Sequence, residues 1–337
     1  MNTQNFDEQS IDLICQSLLS KMQPLEDERI CVVKRLRKFW RITLSVIAVA
    51  GAFIYFYRIK LMSSETAIMW IIGGIVVLLI AIFVFYAVYV NSLLKLFKSR
   101  FKDEVIRYFI SSFMPGSSYD PDNHISMGEY CNSSLFQQAY DRYSGQNYVS
   151  GAVDKTTIYF SELHTEYKTE TRTKNGKRTE WHTIFKGVFM VADPNKNFKG
   201  ETYILSDYGE RYFGGIGKWF QKNIGDSRGK VVYLEDPIFE KKFAVYSTDA
   251  VEARYLITPQ MQQRMITLAN HVGGEVCASF VGGKLYLAIS KSDGLFRVDT
   301  NLSLVDIKTL KYYTRDITNM LSIVHILDLN TRIWGKN

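Results

Sequence analysis

Two long runs of uncharged, mostly apolar residues stand out near the start of the chain. The first covers residues 42–57 and the second residues 67–90, so they contain 16 and 24 uncharged residues. As a helix, the second run would extend about 36 Å at ~1.5 Å per residue, enough to cross a hydrocarbon core about 30 Å thick. The sequence therefore predicts two transmembrane helices, over residues 39–60 and 67–90, joined by a short external loop at residues 61–66.

Helical periodicity flanks these runs on both sides. Apolar residues recur at helical spacing before the first run, and they are Ile11, Ile14, Cys15, Leu18, Leu19 and Met22. This spacing predicts an amphipathic helix within a cytoplasmic segment over residues 1–38, with a break at Pro24. After the second run the helical pattern continues over residues 91–114, until the string "MPGSSYDPDN" ends it.

The rest of the chain, residues 115–337, alternates between strand and helix signals and predicts one cytoplasmic α+β domain with antiparallel β-hairpins and packed helices. The dipeptide Gly282-Gly283 indicates a hairpin turn. That turn pairs apolar residues on one buried face, and the pairs are Phe280 with Leu285, Ala278 with Leu287 and Val276 with Ile289. Thr258 is expected to cap a helix that precedes this hairpin, and a last helix is expected from about Leu302 to Leu327.

An earlier hairpin is predicted at Asn175-Gly176, between two long alternating strands. A turn at these two residues places Tyr167 opposite Ile184 and Glu170 opposite Trp181. It also places two histidines opposite other residues, His182 opposite Thr169 and His164 opposite Gly187. In that register the two histidines do not meet, so they are expected to be ordinary strand residues rather than ligands of one metal ion.

Charge adds an orientation to this architecture. The chain has a net charge of +7, and residues 1–112 hold 14 Lys/Arg against 9 Asp/Glu. Basic residues cluster before the first run and after the second, whereas the loop between the runs has only Arg58 and Lys60. The positive-inside rule therefore predicts that both termini lie in the cytoplasm. Aromatic residues are expected at the inner interface (Trp40, Tyr86 and Tyr89) and at the outer one (Tyr55, Tyr57 and Trp70).

Two sets of residues are candidates for contacts. The first is the basic tip of the earlier hairpin, Lys168, Arg172, Lys174, Lys177 and Arg178. Such a tip is either a solvated hairpin or a site for anionic lipid or an acidic partner. The second set is Gly51, Gly73 and Gly74, which either let the two membrane helices approach closely or reflect the higher glycine content of membrane helices.

The four cysteines imply no metal and no disulfide. Cys15, Cys31, Cys131 and Cys277 lack paired spacing and fall on the predicted cytoplasmic side, so free thiols are expected. No cofactor is implied by any motif.

Three short motifs invite a catalytic or ligand-binding interpretation, and none is complete. In "GDSRG" a helix pattern precedes Ser227 and a strand pattern follows it, which reverses the order of a nucleophile elbow. In "GGIGK" Tyr212 and Trp219 replace the glycine and the hydroxyl residue of a phosphate loop. In "DPDNH" Ile125 replaces the glycine of an EF-hand loop, so a capping turn is favoured over metal binding. No catalytic residue is predicted.

Four segments, "VSGAVDKTTIYFSELHTEYKT", "IFKGVFMVADPNKNFKGETYIL", "LEDPIFEKKFAVYSTDAVEARYLITP" and "LNTRIW", resemble those of the bacterial membrane proteins grouped as domain of unknown function 3137. The resemblance implies a bacterial inner-membrane protein with a cytoplasmic domain. It also implies a LemA-type membrane protein as a partner. It assigns no chemistry to any residue.

The leading functional hypothesis is a membrane-anchored protein whose cytoplasmic domain is a binding or assembly (scaffold) module, which binds a partner or forms a homo-oligomer. The alternatives are a sensor of lipid or of a small ligand, and an enzyme with an unrecognised site. The basic excess lies beside the membrane runs, so the lipid bilayer and not nucleic acid is the expected anionic partner.

Overall fold

The chain forms two compact units, one of helices and one built on an antiparallel sheet. The computed structural model describes residues 8–61, 65–153, 156–173, 176–194, 197–206 and 229–327. The helical unit comprises Asp12–Val105 and Val298–Tyr312. The sheet unit comprises Met1–Ile11, Ile106–Arg297 and Tyr313–Asn337. The predicted class, a mixed α+β fold with an antiparallel sheet and helices, is confirmed.

Long helices occupy the first third of the chain. Their bounds are α1 Glu8–Leu19, α2 Gln23–Leu61, α3 Glu65–Phe85, α4 Asn91–Phe101 and α5 Arg107–Phe113. One π-helical turn, Tyr86–Val90, joins α3 to α4, and a second, Lys102–Ile106, joins α4 to α5. Helix α2 begins beside Pro24, where the break was predicted, and α5 ends two residues before Pro115. Proline suits a first helical turn because the amide it lacks has no partner there.

One helix of the described residues is long and apolar enough to cross a membrane. It covers Gly73–Phe113, and only 6% of its most apolar stretch is buried. The first predicted span lies within α2, where the side chains of residues 53, 54 and 56–61 are outside the described part. A hairpin of two membrane spans therefore stays a prediction.

A buried carboxylate joins distant parts of the helical unit. Glu26 is only 4% exposed, and it accepts hydrogen bonds from Arg29 Nε at 2.8 Å and Nη2 at 2.7 Å. It also accepts from the Ser303 hydroxyl at 3.0 Å and the Leu304 amide at 2.8 Å. Arg29 Nη1 donates to the Thr300 carbonyl at 2.7 Å. Burial alone would raise the pKa of Glu26, but the hydrogen bonds from Arg29, Leu304 and Ser303 lower it below its usual range.

The sheet unit is built on one antiparallel sheet. Its described strands are β1 Ser118–Asp120, β2 Arg142–Val153, β3 Thr156–Thr173, β4 Gly176–Ala192, β5 Thr202–Ser206, β6 Lys230–Val231, β7 Phe243–Ser247, β8 Val276–Val281 and β9 Lys284–Ser290. Their order across the sheet is β1-β2-β3-β4-β9-β8-β5-β7-β6. The helices that accompany it are α6 Met127–Asn132, α7 Pro237–Glu240, α8 Ala250–Leu256, α9 Pro259–Val272 and α10 Ile307–Ile326, which continues from the helical unit.

The register predicted for the β3–β4 hairpin is wrong. The structure pairs Thr173 with Gly176, so residues 174–175 form the connection and Gly176 itself is in the ladder. Tyr167 lies opposite His182, not Ile184, and Trp181 lies opposite Lys168, not Glu170. The glycine of the expected turn, at φ +124, serves as the first strand residue instead.

A bulge further along β4 changes the register again. Thr165 pairs with Phe185 and Glu166 with Thr183, which leaves Ile184 as the extra residue. His164 consequently lies opposite Lys186 rather than Gly187. Thr169 lies opposite Glu180 rather than His182. Neither the bulge nor the two-residue connection has a strong sequence signal.

The β8–β9 hairpin agrees with its prediction. All three apolar pairs form as expected, and all six side chains are buried. Gly282 and Gly283 have φ of 58° and 76°, as a tight turn requires. Thr258 caps α9 as predicted by accepting the Met261 amide, and Gly273 ends that helix in the left-handed region. The last helix begins later than expected, because Asp306 accepts the Lys308 amide and starts α10 at Ile307.

We expect Glu26→Gln to lower the free energy of unfolding by about 2–3 kcal/mol, because it replaces a charge-assisted, buried pair with a neutral one. Glu28→Gln is the matched control on the same helix, since Glu28 pairs with Arg100 in solvent. An exposed pair of this kind is worth at most about 1 kcal/mol. Urea unfolding of the full-length protein, followed by circular dichroism, measures both.

The Glu26→Gln effect is also expected to depend on pH. Because the folded-state pKa is lowered, the stabilisation is present above the ordinary glutamate value of 4.5 and is lost as pH falls through the folded-state pKa. The difference between wild type and variant should therefore narrow below pH 4.5. A difference that is constant down to the acid limit would contradict this account of Glu26.

Candidate functional site

Strands β3 and β4 extend beyond their neighbours in the sheet. The pairing of β2 with β3 stops at Glu166, and the pairing of β9 with β4 starts at Gly187. Residues 167–173 and 176–182, named here the ribbon, pair only with each other among the described strands. Seven strand residues span about 23 Å at ~3.3 Å per residue. The ribbon therefore presents two outer backbone edges with no described strand beside them.

The charges on the ribbon are locally balanced. Of the predicted contact residues, Lys177 lies 2.6 Å and Lys168 lies 3.5 Å from carboxylate oxygens of Glu170. Arg178 pairs with Glu180 at 3.0 Å. The hydrogen bond from Lys177 lowers the pKa of Glu170. The surface of the ribbon thus alternates in charge rather than being uniformly basic.

Of the two remaining residues of the predicted basic tip, the structure describes one. Arg172 lies on β3 opposite Lys177, on the same face of the ribbon as Lys168. Lys174 lies outside the described residues. The structure thus gathers four of the five predicted tip residues on the ribbon.

An arginine at the start of β2 supports the base of the ribbon. The guanidinium of Arg142 lies over the ring of Trp181, 3.9 Å from its centroid, and pairs with Glu166 at 2.9 Å. Asp141 Oδ2 accepts the amide of Lys168 at 2.8 Å. Trp181 still has 42% of its surface exposed. These contacts fix the direction in which the ribbon leaves the sheet and leave a large aromatic ring available at its base.

The opposite face of the ribbon carries a second aromatic contact. The ring of His182 stacks on Tyr167 with centroids 5.0 Å apart, and its Nε2 lies 2.8 Å from Thr169 Oγ1. The second strand histidine, His164, lies nearer the sheet and within 3.7 Å of Glu166. Among the described residues, no three His, Cys, Asp or Glu side chains lie close enough together to hold a metal ion.

A separate apolar groove lies between α2 and α3 in the helical unit, with a volume of about 750 Å³. The α2 wall consists of Arg35, Lys38, Phe39, Ile42, Thr43 and Val46. The facing wall consists of Leu78, Ala81, Ile82, Phe85 and Tyr89. Its two basic residues lie at one end and its aliphatic residues at the other. The groove is therefore amphipathic along its length.

Aromatic rings join the two helices at the basic end of the groove. Phe39 stacks on Phe85 with centroids 5.7 Å apart, and Trp40 lies 6.0 Å from Tyr86. Phe85 also stacks on Tyr89 at 5.2 Å. The π-helical turn Tyr86–Val90 occurs at this level. Trp40, Tyr86 and Tyr89 therefore share one level, and its position at the inner membrane interface stays a prediction.

The predicted helix contacts at glycine stay a prediction. A Cβ added at Gly51, Gly73 or Gly74 would meet no described atom within 4 Å. Most side chains between residues 53 and 72 lie outside the described part, so the surroundings of these glycines are not fully described.

The short catalytic and ligand-binding motifs add no site among the residues that the structure describes. Ser227 and the whole of "GGIGK" lie outside the described residues. In "DPDNH" Asp120 Oδ1 accepts the Asp122 amide at 3.1 Å and Asn123 Oδ1 accepts the His124 amide at 2.8 Å. The Asp120 contact is an Asx-turn, the kind of local turn that the sequence favoured over metal binding, and the cap of α6 itself is Ser126.

A cluster of titratable groups on the sheet unit is also structural in character. Glu129 accepts hydrogen bonds from Lys284 Nζ at 2.6 Å and from the Tyr286 hydroxyl at 3.0 Å. Partial burial would raise the pKa of Glu129, but these two hydrogen bonds lower it, and Glu129 in turn raises the pKa of Lys284. The pair ties α6 to β9. None of the four cysteines is in a disulfide bond, and burial raises the pKa of the Cys15 thiol to about 11.

Comparisons with known proteins support the family resemblance. The family model described as "Protein of unknown function (DUF3137)" matches residues 183–329. No curated protein matches the chain. Among solved structures, the crystal structure of the mycobacterial trehalose monomycolate transport factor A is similar, with 9% sequence identity and a TM-score of 0.34. The match covers 68% of this chain and 97% of that one. A TM-score at this level carries no argument about fold or function.

We expect Arg142→Gln to loosen the ribbon without unfolding the sheet. The variant loses both the stacking on Trp181 and the ion pair with Glu166, together worth about 1 kcal/mol at an exposed site. Amide hydrogen exchange in residues 167–173 should become about fivefold faster, while β8 and β9 keep their protection. Arg178→Gln is the control, because it removes a guanidinium nearer the tip. Equal acceleration by both variants would show that Arg142 has no special role.

Proposed function

We propose that this chain, a member of the DUF3137 family through residues 183–329, is a membrane-anchored binding module of a bacterial inner membrane. Two spans would hold it in the bilayer with both termini in the cytoplasm. Its ribbon would dock a protein partner. This is the assembly or scaffold role, and it requires no catalytic residue in the chain.

The observation that carries the proposal is the pair of outer edges on the ribbon. A two-stranded ribbon is marginally stable in water, and an unpaired strand edge is a template for another strand. Partners commonly bind such edges by adding a strand, with backbone hydrogen bonds supplying affinity and alternate side chains supplying specificity. The contacts of Arg142 and Asp141 hold the ribbon ready for such pairing, which reduces the entropy lost on binding.

Charge supports a protein rather than a lipid as the partner of the ribbon. Residues 166–183 contain five Lys/Arg and three Glu, a net charge of only +2. Three of those basic residues, Lys168, Lys177 and Arg178, are already paired with glutamates. An anionic surface would have to displace the glutamates from these ion pairs. A partner strand of alternating charge could instead form ion pairs of its own with both the basic residues and the glutamates of the ribbon. Trp181 would supply an aromatic anchor, since exposed tryptophans are enriched at binding hot spots.

Two partners fit this description. A LemA-type membrane protein is one, because the family resemblance implies it. A second copy of the chain is the other, because identical edges can pair about a twofold axis.

A sensor of lipid is a second candidate function, and the groove between α2 and α3 favours it. A concave, mostly apolar lining with a few polar groups at one end is typical of ligand sites.

The anchor predicts a definite labelling pattern. We expect Ser63→Cys, in the loop between the spans, to react with a membrane-impermeant maleimide in bacterial cells whose outer membrane has been opened. The native Cys31 and Cys131 are exposed in the structure but should react only after the inner membrane is permeabilised. Labelling of all three thiols in sealed cells, or of none, would contradict two spans with cytoplasmic termini.

The docking role of the ribbon can be tested by site-specific photocrosslinking in native membranes. A photoreactive residue at Thr171 or Thr179 should crosslink one protein in fixed ratio. The same residue at Val251, which is 78% exposed but lies on α8, should not crosslink that protein. Replacing residues 170–179 by Asn-Gly shortens the ribbon at the Thr169–Glu180 pair, and this variant should lose the complex while keeping its melting temperature within a few degrees.

The outcomes separate the alternatives. A crosslink to a different protein supports the scaffold role, and a crosslink only to the same chain identifies the ribbon as a self-assembly element. A complex that survives in the shortened variant would overturn the proposal that the ribbon docks the partner.

A further inference from the structure

The groove between α2 and α3 plays no part in docking at the ribbon, yet it has the form of a ligand site. We infer that it binds one anionic diacyl phospholipid of the inner leaflet, with the head group held between Arg35 and Lys38 and an acyl chain along the aliphatic walls. The inference rests on the two-span anchor proposed above. It adds a specific lipid site that the anchor alone does not require.

The α2 wall is laid out along one helical stripe. Its members recur at spacings of three and four residues, which keeps them on one face of the helix. Arg35 and Lys38 begin the stripe, and all positions after them are apolar except Thr43. A cationic end followed by a continuous apolar surface matches the order of head group and acyl chain in a phospholipid.

The length of the groove fits within one leaflet. From the aromatic level at Trp40 to Val46 there are six residue steps, or about 9 Å at ~1.5 Å per residue. Half of a hydrocarbon core of about 30 Å is about 15 Å, so the apolar part of the groove fits inside the inner leaflet. The aromatic level at Trp40 and Tyr86 marks the interface, so the basic residues lie on its cytoplasmic side and the apolar walls extend into the leaflet.

Small side chains create the space. Thr43 on one wall and Ala81 on the other are the shortest members of the lining, and they lie in its middle. Thr43 is only 7% exposed, so the helices do meet here. Larger residues at these two positions would let the walls close on each other. The groove is thus a consequence of residue choice and not merely of loose packing between two membrane helices.

Charge decides the class of lipid. Lys34 lies beside Arg35 and Lys38 in a continuation of about 490 Å³ toward the cytoplasm, where Asp27 is the acidic member of the lining. A zwitterionic head group would leave the cations without net compensation, and a free phosphate would leave the apolar walls uncovered. Basic pockets between membrane helices on the cytoplasmic side bind anionic head groups for this reason.

The test uses the full-length protein in nanodiscs of equal parts phosphatidylglycerol and phosphatidylcholine. After extraction into a mild detergent, native mass spectrometry counts the phospholipids that remain on each chain. We expect about one retained phosphatidylglycerol per chain and no retained phosphatidylcholine. Extraction removes the general attraction to the bilayer surface, so only a held lipid is counted.

Two variants of equal charge separate the site from the general basic cluster. Arg35→Gln with Lys38→Gln should lower the affinity for phosphatidylglycerol about 30-fold, because two basic residues leave the anionic head group. Arg37→Gln with Arg41→Gln removes two charges from the same segment that do not line the groove, and should change retention less than about twofold. Ala81→Phe should abolish retention by filling the groove while leaving every charge in place.

Each result decides the inference. Equal retention of both lipids, equal losses in the two charge variants, or full retention in Ala81→Phe would overturn it. Displacement of the lipid by millimolar glycerol phosphate would overturn the role of the acyl chain and assign the basic end to a soluble phosphate. Recovery of the protein without membranes would refute the anchor itself, whereas an integral protein that retains no lipid would refute only the groove.

Discussion

The backbone ladder between β3 and β4 is the constraint on which the sheet unit depends. It pairs sixteen residues of each strand, and both halves of the sheet attach to it, β2 on one side and β9 on the other. A slip of one residue would turn every side chain of β4 to the wrong face. The bulge at Ile184 shifts the pairing of β3 with β4 by one residue. The register of the ribbon is therefore distinct from the register of the rest of the ladder. The ribbon can therefore vary without moving the core.

One glycine makes the attachment of the second half feasible. At Gly187, where β4 meets β9, a Cβ would lie 2.0 Å from the carbonyl oxygen of Ile289. Any side chain there would push the strands apart just where the ribbon ends and the sheet begins. The junction thus combines a bulge, a glycine and the ion pair of Arg142 with Glu166 within a few residues.

The sequence was informative wherever a local signal and the tertiary structure agreed. Gly282-Gly283 lies between strands with clear alternation, so its register could be predicted, and Thr258 with Pro259 gave the start of α9. The Asn175-Gly176 register failed because an extra residue at Ile184 and a connection at residues 174–175 have no comparable signal. The basic tip was recognised, but the cross-strand pair of Lys177 with Glu170 depends on that register. The groove could not be predicted, because Thr43 and Ala81 become neighbours only when two helices pack.

The carboxylate of Glu26 imposes an order on biosynthesis. Its hydrogen-bond donors at Ser303 and Leu304 follow it by 277 and 278 residues, so they are synthesised long after it. Until then Glu26 has only Arg29 from its final set of partners, and the buried environment cannot close around it. A chain halted before residue 300 would therefore lack two of the three residues that bond Glu26, and its carboxylate would stay hydrated instead of buried.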